Sequence, residues 1–145
     1  MSAYISSGER KLSLEELGLR AARAATGFSE LGVVEGDSVA LLMRNDLAFI
    51  EATVAAGLLG AYSVPVNWHF KGAEAGYVIA DCGANVVLAH ADLLGGLDGH
   101  MPDGVTVLAV ATPPEIQAAY GISDGDARVP DGLAVWEDWR DGFAP

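Results

Sequence analysis

The stretch from Gly36 to Asn67, GDSVALLMRNDLAFIEATVAAGLLGAYSVPVN, limits the possible folds more than any other. Gly36-Asp37 reads as a turn, and Ser38 to Met43 as a short apolar strand. Asn45 or Asp46 supplies a helix cap, because a short side-chain oxygen accepts from free amides of a first turn. Phe49, Ile50, Thr53, Val54, Ala56, Gly57 and Leu58 then recur near helical spacing. Gly60 ends the helix, since glycine takes the left-handed conformation without a Cβ clash. Tyr62 to Val66 is the second strand, with Pro65 near its end, where a missing N–H does least harm. A strand, a crossover helix and a second strand of these lengths predict a right-handed parallel unit.

The flanking sequence extends this unit. Ser13 to Leu31 predicts a helix, opened by a Ser13/Glu16 capping box and stopped by Gly32. Its apolar face is Leu14, Leu17, Ala21, Ala25, Phe28 and Leu31. After the loop Asn67–Gly72 come a helix over 73–82, a strand over 85–89, a glycine-rich turn region over 91–99 and a strand over 105–110. A short helix follows Pro113. Beyond Gly121 the pattern gives way to Gly, Asp and Pro, with one amphipathic turn over Leu133–Trp139. The expected organisation is a frayed end over residues 1–9, an α/β subdomain over 10–120 and an irregular acidic segment over 121–145. Alternating strands and helices predict a mostly parallel, doubly wound sheet flanked by helices. Such sheets bind ligands at strand carboxyl ends, which points to Met43–Asp46, Asn67–Lys71 and His90–Leu94.

Those segments carry a resemblance. GDSVALLMRND resembles the GD-x-V-x-x-x-x-x-N segment of the adenylate-forming enzymes, the acyl-CoA synthetase and luciferase superfamily. AGLLGAYSVPVN resembles that family's K-A-G-x-x-x-x-P-x-N segment, with Leu59 where a Lys or similar residue often sits. LSLEEL at Leu12–Leu17 is similar to the family's opening y-x-E-L helix. HFKGAEAGYVIADCGANVVLAH, His69 to His90, resembles its next helix and strand. Together they cover roughly residues 10 to 92. The resemblance implies the N-terminal subdomain of an ATP-dependent acyl-CoA synthetase, whose parent uses ATP, Mg2+ and CoA. It also implies that Asn67, Trp68 and His69 form a loop facing CoA. The alternative for that loop is that Trp68 and Phe70 pack on neighbouring helices and His69 caps a turn.

The family's phosphate-holding loop, rich in Ser, Thr and Gly and ending Pro-Lys-Gly, has no counterpart in this sequence. The nearest cluster, Leu94-Gly95-Gly96-Leu97-Asp98-Gly99, lacks Lys, Ser and Thr, and Asp98 would repel phosphate. Where CoA-using relatives place basic residues beyond the third strand, this chain reads Ala91-Asp92-Leu93-Leu94. No catalytic residue and no metal ligand set is expected, and no cofactor is expected to bind tightly to this segment alone.

Composition sharpens the reading. The formal net charge is −12, and from Asp92 onward ten acids face only Arg128 and Arg140. That balance argues against nucleic-acid or anionic-membrane partners, which need clustered Lys and Arg. Apolar residues make up 51% of the 145, enough to bury a core. Cys82 is the one cysteine, so no internal disulfide forms. No apolar run reaches the roughly 18 residues of a spanning helix. The N-terminus lacks a basic segment followed by an apolar one, so the cytoplasm is the expected location. His69 and His90 fall near strand ends, but a metal site would need a further ligand such as Asp92. His90 and Asp92 suggest an acid/base pair that their spacing does not force to meet.

The reading is an N-terminal synthetase segment, inactive alone, whose partner is the remainder of the synthetase. A free-standing α/β binding or oligomerisation module is the alternative. Either leaves apolar sheet surface exposed and predicts self-association.

Overall fold

The computed structural model describes residues 3–145. The chain opens with a hairpin, β1 (Tyr4–Ser7) and β2 (Arg10–Ser13), paired antiparallel with Ile5 opposite Leu12. This corrects the expectation of a frayed 1–9; Met1 and Ser2 lie outside the described residues. Gly8, at φ +59°, makes the tight hairpin turn that a side chain would resist. The single apolar residue of each strand is what the polar composition conceals. Leu12 is buried with Leu17 and Leu47, and Ile5 packs against them.

Helix α1 (Leu14–Glu30) follows at once, and the Ser13 side chain accepts from the Glu16 N–H as expected. Next come β3 (Ser38–Leu42), α2 (Leu47–Leu58) and β4 (Tyr62–Pro65). Asp46 caps α2, and Gly60 sits at φ +71° just beyond its end. Then come α3 (Ala73–Asp81), β5 (Val86–His90), a 3-10 segment (Ala91–Leu97), β6 (Thr106–Val110) and α4 (Pro114–Tyr120).

Residues 121–145 also depart from the irregular segment expected. They form α5 (Asp124–Ala127), β7 (Ala134–Val135) and α6 (Trp136–Asp141). β7 pairs with β6, Leu108 opposite Ala134 and Ala109 opposite Val135. A two-residue strand is too short for periodicity to reveal; the neighbouring strand creates it.

The main sheet has the order β4-β3-β5-β6-β7, and every pairing is parallel. The chain moves from β3 to β4 on one side and returns to β5 on the other, so the order reverses between β3 and β5. Side chains alternate across each strand. Val39, Leu41, Val86, Leu88 and Leu108 face one layer with Ala21, Phe28, Ala52 and Trp136. Ala40, Leu42, Val87 and Ala89 face the other with Ala75, Ile79 and Leu97. Both faces are therefore covered, which is why β5 reads as an unbroken apolar run.

The last helix is held where α1 leaves room for it. At Gly27, inside α1, an added Cβ would stand 2.5 Å from the Trp139 ring and 2.8 Å from the Phe143 ring. Trp139 is itself packed among Phe28, Trp136 and Phe143. Gly27→Ala gains helix propensity yet forces these rings apart. We expect a net loss of about 1–2 kcal/mol, read by thermal unfolding together with a shift in tryptophan emission. An unchanged melt with unchanged emission would show that α6 is not docked on α1.

Candidate functional site

The three segments that architecture singles out do meet. They converge at the carboxyl ends of β3 and β5, where the strand order reverses, and charged side chains join them.

Asp46 is the hub. Its Oδ1 accepts from the Leu47 N–H at 2.7 Å, capping α2, and also pairs with Arg10 of β2. Its Oδ2 accepts from His90 Nε2 at 3.0 Å. His90 is fully buried at the end of β5, and its Nδ1 accepts from the Arg44 N–H at 3.2 Å. The proton therefore sits on Nε2. Arg10 continues outward to Glu115 at the start of α4, with Nε to Oε1 at 2.8 Å, and Ser7 donates to the same carboxylate at 3.1 Å. Burial would raise the Asp46 pKa, but the hydrogen bonds from His90 and Arg10 outweigh it and hold it below the ordinary range. Glu115 is lowered likewise: Arg10 overcomes the opposing desolvation.

A second pair lies beside the first. Arg44 makes two parallel bonds to Asp92, at 3.0 and 2.9 Å, and Thr112 donates to Asp92 at 2.7 Å. Burial opposes ionisation of Asp92 as well, and Arg44 with Thr112 overcomes it, so its pKa is lowered. The Arg44 guanidinium also lies over two aromatic rings, Trp68 at 4.4 Å and Tyr120 at 4.8 Å. Met43, Arg44, Asn45, Trp68, Ile116 and Tyr120 line a half-open cleft of about 280 Å³ there.

The loop Asn67–Trp68–His69 stands at its rim. The Asn67 side chain accepts from the His69 N–H at 3.0 Å and meets His69 Nδ1 at 3.1 Å. His69 stacks on Trp68 with ring centroids 3.8 Å apart, and Phe70 packs into the layer of α3. His90 and Asp92, proposed from sequence as a pair, do not bond each other; each finds its partner on the segment after β3. Among the described residues no three His, Cys, Asp or Glu side chains converge on a metal-sized space. Sequence reasoning missed Arg10, Arg44, Asp46 as a hub, Thr112, Glu115 and Tyr120. An Arg and an Asp just past the ends of two predicted strands were the available signal for Arg44 and Asp92.

The sequence matches the AMP-binding enzyme family over residues 1–137. The chain belongs to that family. It is 39% identical over 117 residues to a 2-succinylbenzoate–CoA ligase of Geobacillus kaustophilus, covering 79% of this chain and 23% of that one. A feruloyl-CoA synthase of Amycolatopsis is 34% identical over 116 residues, covering 75% and 24%. The fold is similar to a benzoate CoA ligase of Burkholderia xenovorans, with a TM-score of 0.78 over 100% of this chain and 26% of the other at 22% identity. It is likewise similar to an anthranilate CoA ligase solved with anthranoyl-AMP, with a TM-score of 0.80 over 99% and 25% at 20% identity. The chain thus spans about a quarter of the length of these relatives, consistent with an N-terminal portion of an adenylate-forming enzyme. No helix among the described residues is long and apolar enough to cross a membrane.

Neither Arg10 nor Arg44 stands free for a phosphate group. Arg10 and Arg44 are each bonded to carboxylates of the same chain, whereas Lys71, exposed beyond β4, is in none of these pairs. The Gly95–Gly99 cluster closes the 3-10 segment and is tied to the start of α3: the Gly96 carbonyl accepts from the Gly72 N–H. The network is structural, so its loss should be read in stability. Asp92→Asn leaves a buried guanidinium without its anion and should cost about 3 kcal/mol. For a chain of this size that lowers the melting temperature by roughly 10 °C. The acid dependence follows from the lowered pKa values. The unfolded chain takes up protons first, so the stabilisation is full above the ordinary carboxylate range near ~4 and is lost as pH falls through the lower native values. Melts from neutral to acid pH should show this loss, with a shallower dependence in Asp92→Asn. A variant that melts like the wild type at every pH would rule out the pair as a support.

Proposed function

We propose that this chain is the N-terminal scaffold of an ATP-dependent acyl-CoA synthetase. The parent joins a carboxylate to AMP with release of pyrophosphate, then transfers the acyl group to the CoA thiol. ATP, Mg2+ and CoA serve the whole protein; the segment holds none of them tightly. Its partner is the remainder of the synthetase, and the cytoplasm is its location. The Asn67–Trp68–His69 loop faces CoA, with the stacked His69 and Trp68 rings as the surface it offers. Separated from its partner and concentrated, the segment self-associates through apolar surface.

One observation supports the reading most: family membership over nearly the whole chain, combined with Arg10 and Arg44, which both pair with carboxylates of the chain itself. Such a segment braces a pocket and leaves the handling of phosphate to other residues. Relatives that join aromatic acids to CoA support a carboxylate substrate for the parent.

The test compares two proteins. The 145-residue chain, given ATP, magnesium and a panel of aryl and fatty carboxylates, should release no pyrophosphate above the blank. The reading frame should continue past Pro145 into a Ser/Thr/Gly-rich loop closed by Lys, and the longer protein should release pyrophosphate with at least one acid. Release by the short chain would overturn the scaffold role. A stop codon after Pro145 would favour a free-standing module instead.

A further inference from the structure

We infer that the outward face of α2, together with the free edge of β4 beside it, is the surface on which the remaining polypeptide of the synthetase packs. This rests on the ligase reading above and names the contact it requires.

The observation is where the charge of α2 goes. In this 12-residue helix Glu51 is the one ionic side chain, and it points inward, 2% exposed. It accepts from Trp136 Nε1 at 3.0 Å and from Arg140 at 2.6 Å, with Arg20 at 3.3 Å. What faces outward is Ile50, Gly57 and Leu58, at spacing i, i+7 and i+8, with Val54 between them half-buried against the core and no charge among them. Ile50 is 38% and Leu58 60% exposed. A water-facing helix ordinarily does the reverse, as α1 does with Glu15, Arg20, Arg23 and Glu30. A helix whose one charge is buried and whose exposed side carries none is built to be covered on both sides.

The surface continues past the helix. β4 packs beside α2 and, among the described residues, is hydrogen-bonded along one edge, to β3. Tyr62 at its start is 66% exposed. At Gly57 no atom lies within 4 Å of where a Cβ would stand, so another backbone can approach closely. The occupant follows from length and charge. The chain spans 23–26% of the relatives reported above, so roughly three quarters of such a protein must rest on surface this segment provides. A second copy is the poorer candidate, because it brings its own formal −12 against this one's.

Cysteine accessibility tests this. Leu58→Cys and Ile50→Cys replace exposed side chains and leave the core intact. Each is labelled with a maleimide at dilute concentration in the 145-residue chain and in the full-length protein of the same gene, and peptide mass spectrometry scores that cysteine alone. Both should react freely in the short chain and about tenfold or more slowly in the long one, where labelling needs local opening. Asp103→Cys, on a polar exposed turn, should react alike in both. Equal labelling of Leu58→Cys in the two proteins overturns the inference while leaving the ligase reading intact. Slowing at Asp103→Cys to the same extent also overturns it, since the protection would then be general. Protection already present in the dilute short chain makes a second copy the occupant and overturns it as well. A gene that ends at residue 145 removes the ligase reading and this inference together.

Discussion

The Asp46 carboxylate is the point on which this structure turns. It caps α2, takes the proton-bearing nitrogen of His90 at the end of β5, and holds Arg10 of the N-terminal hairpin. One buried anion thus ties a helix start, a central strand and a terminal ribbon to the place where the strand order reverses. A carboxylate out of water is costly unless its lone pairs are occupied. Here three donors occupy them, and the lowered pKa of Asp46 expresses the same balance. Arg44 and Asp92 repeat the device one step along the sheet, and Glu51 repeats it further along α2, in the cleft that Asp46 also lines.

These ionic ties change the meaning of the crevice. In an open parallel sheet the reversal of strand order is where a ligand is expected. In this chain Arg44 pairs with Asp92 and Asp46 with His90 there, so that part of the crevice is braced. The cleft beside Arg44, walled by Trp68 and Tyr120 meeting edge to face, is the part left open. That division suits a segment that shapes a site and supplies little of its charge.

Much of the fold was legible in advance, for identifiable reasons. The Ser13 cap, the Asp46 cap and the Gly60 stop are local chemistry, decided by one side chain and the turn beside it. The buried run Val86–Leu88 announced a strand covered on both faces. The hairpin and β7 were not legible. Ile5 and Leu12 are single apolar residues in polar surroundings, and Ala134–Val135 is a strand only because β6 lies beside it. Trp136 and Trp139 were noticed as an amphipathic turn, but their destination depended on Gly27, far earlier in the chain. Asn67, Trp68 and His69 were singled out as a local cluster; that Arg44 would lie against Trp68 was beyond any local pattern.

The sequence by itself determined the local choices: which stretches are helices, where they start and stop, and that the central strands lie parallel and buried. Periodicity, capping oxygens and glycine's freedom at positive φ act over a few residues, so they can be read along the chain. Only the tertiary structure decided which charges meet. Arg44 with Asp92, Asp46 with His90 and Glu51 with Arg140 are separated by 48, 44 and 89 positions. Their pairing reflects the low-dielectric space that several elements enclose together, and no segment possesses that space alone.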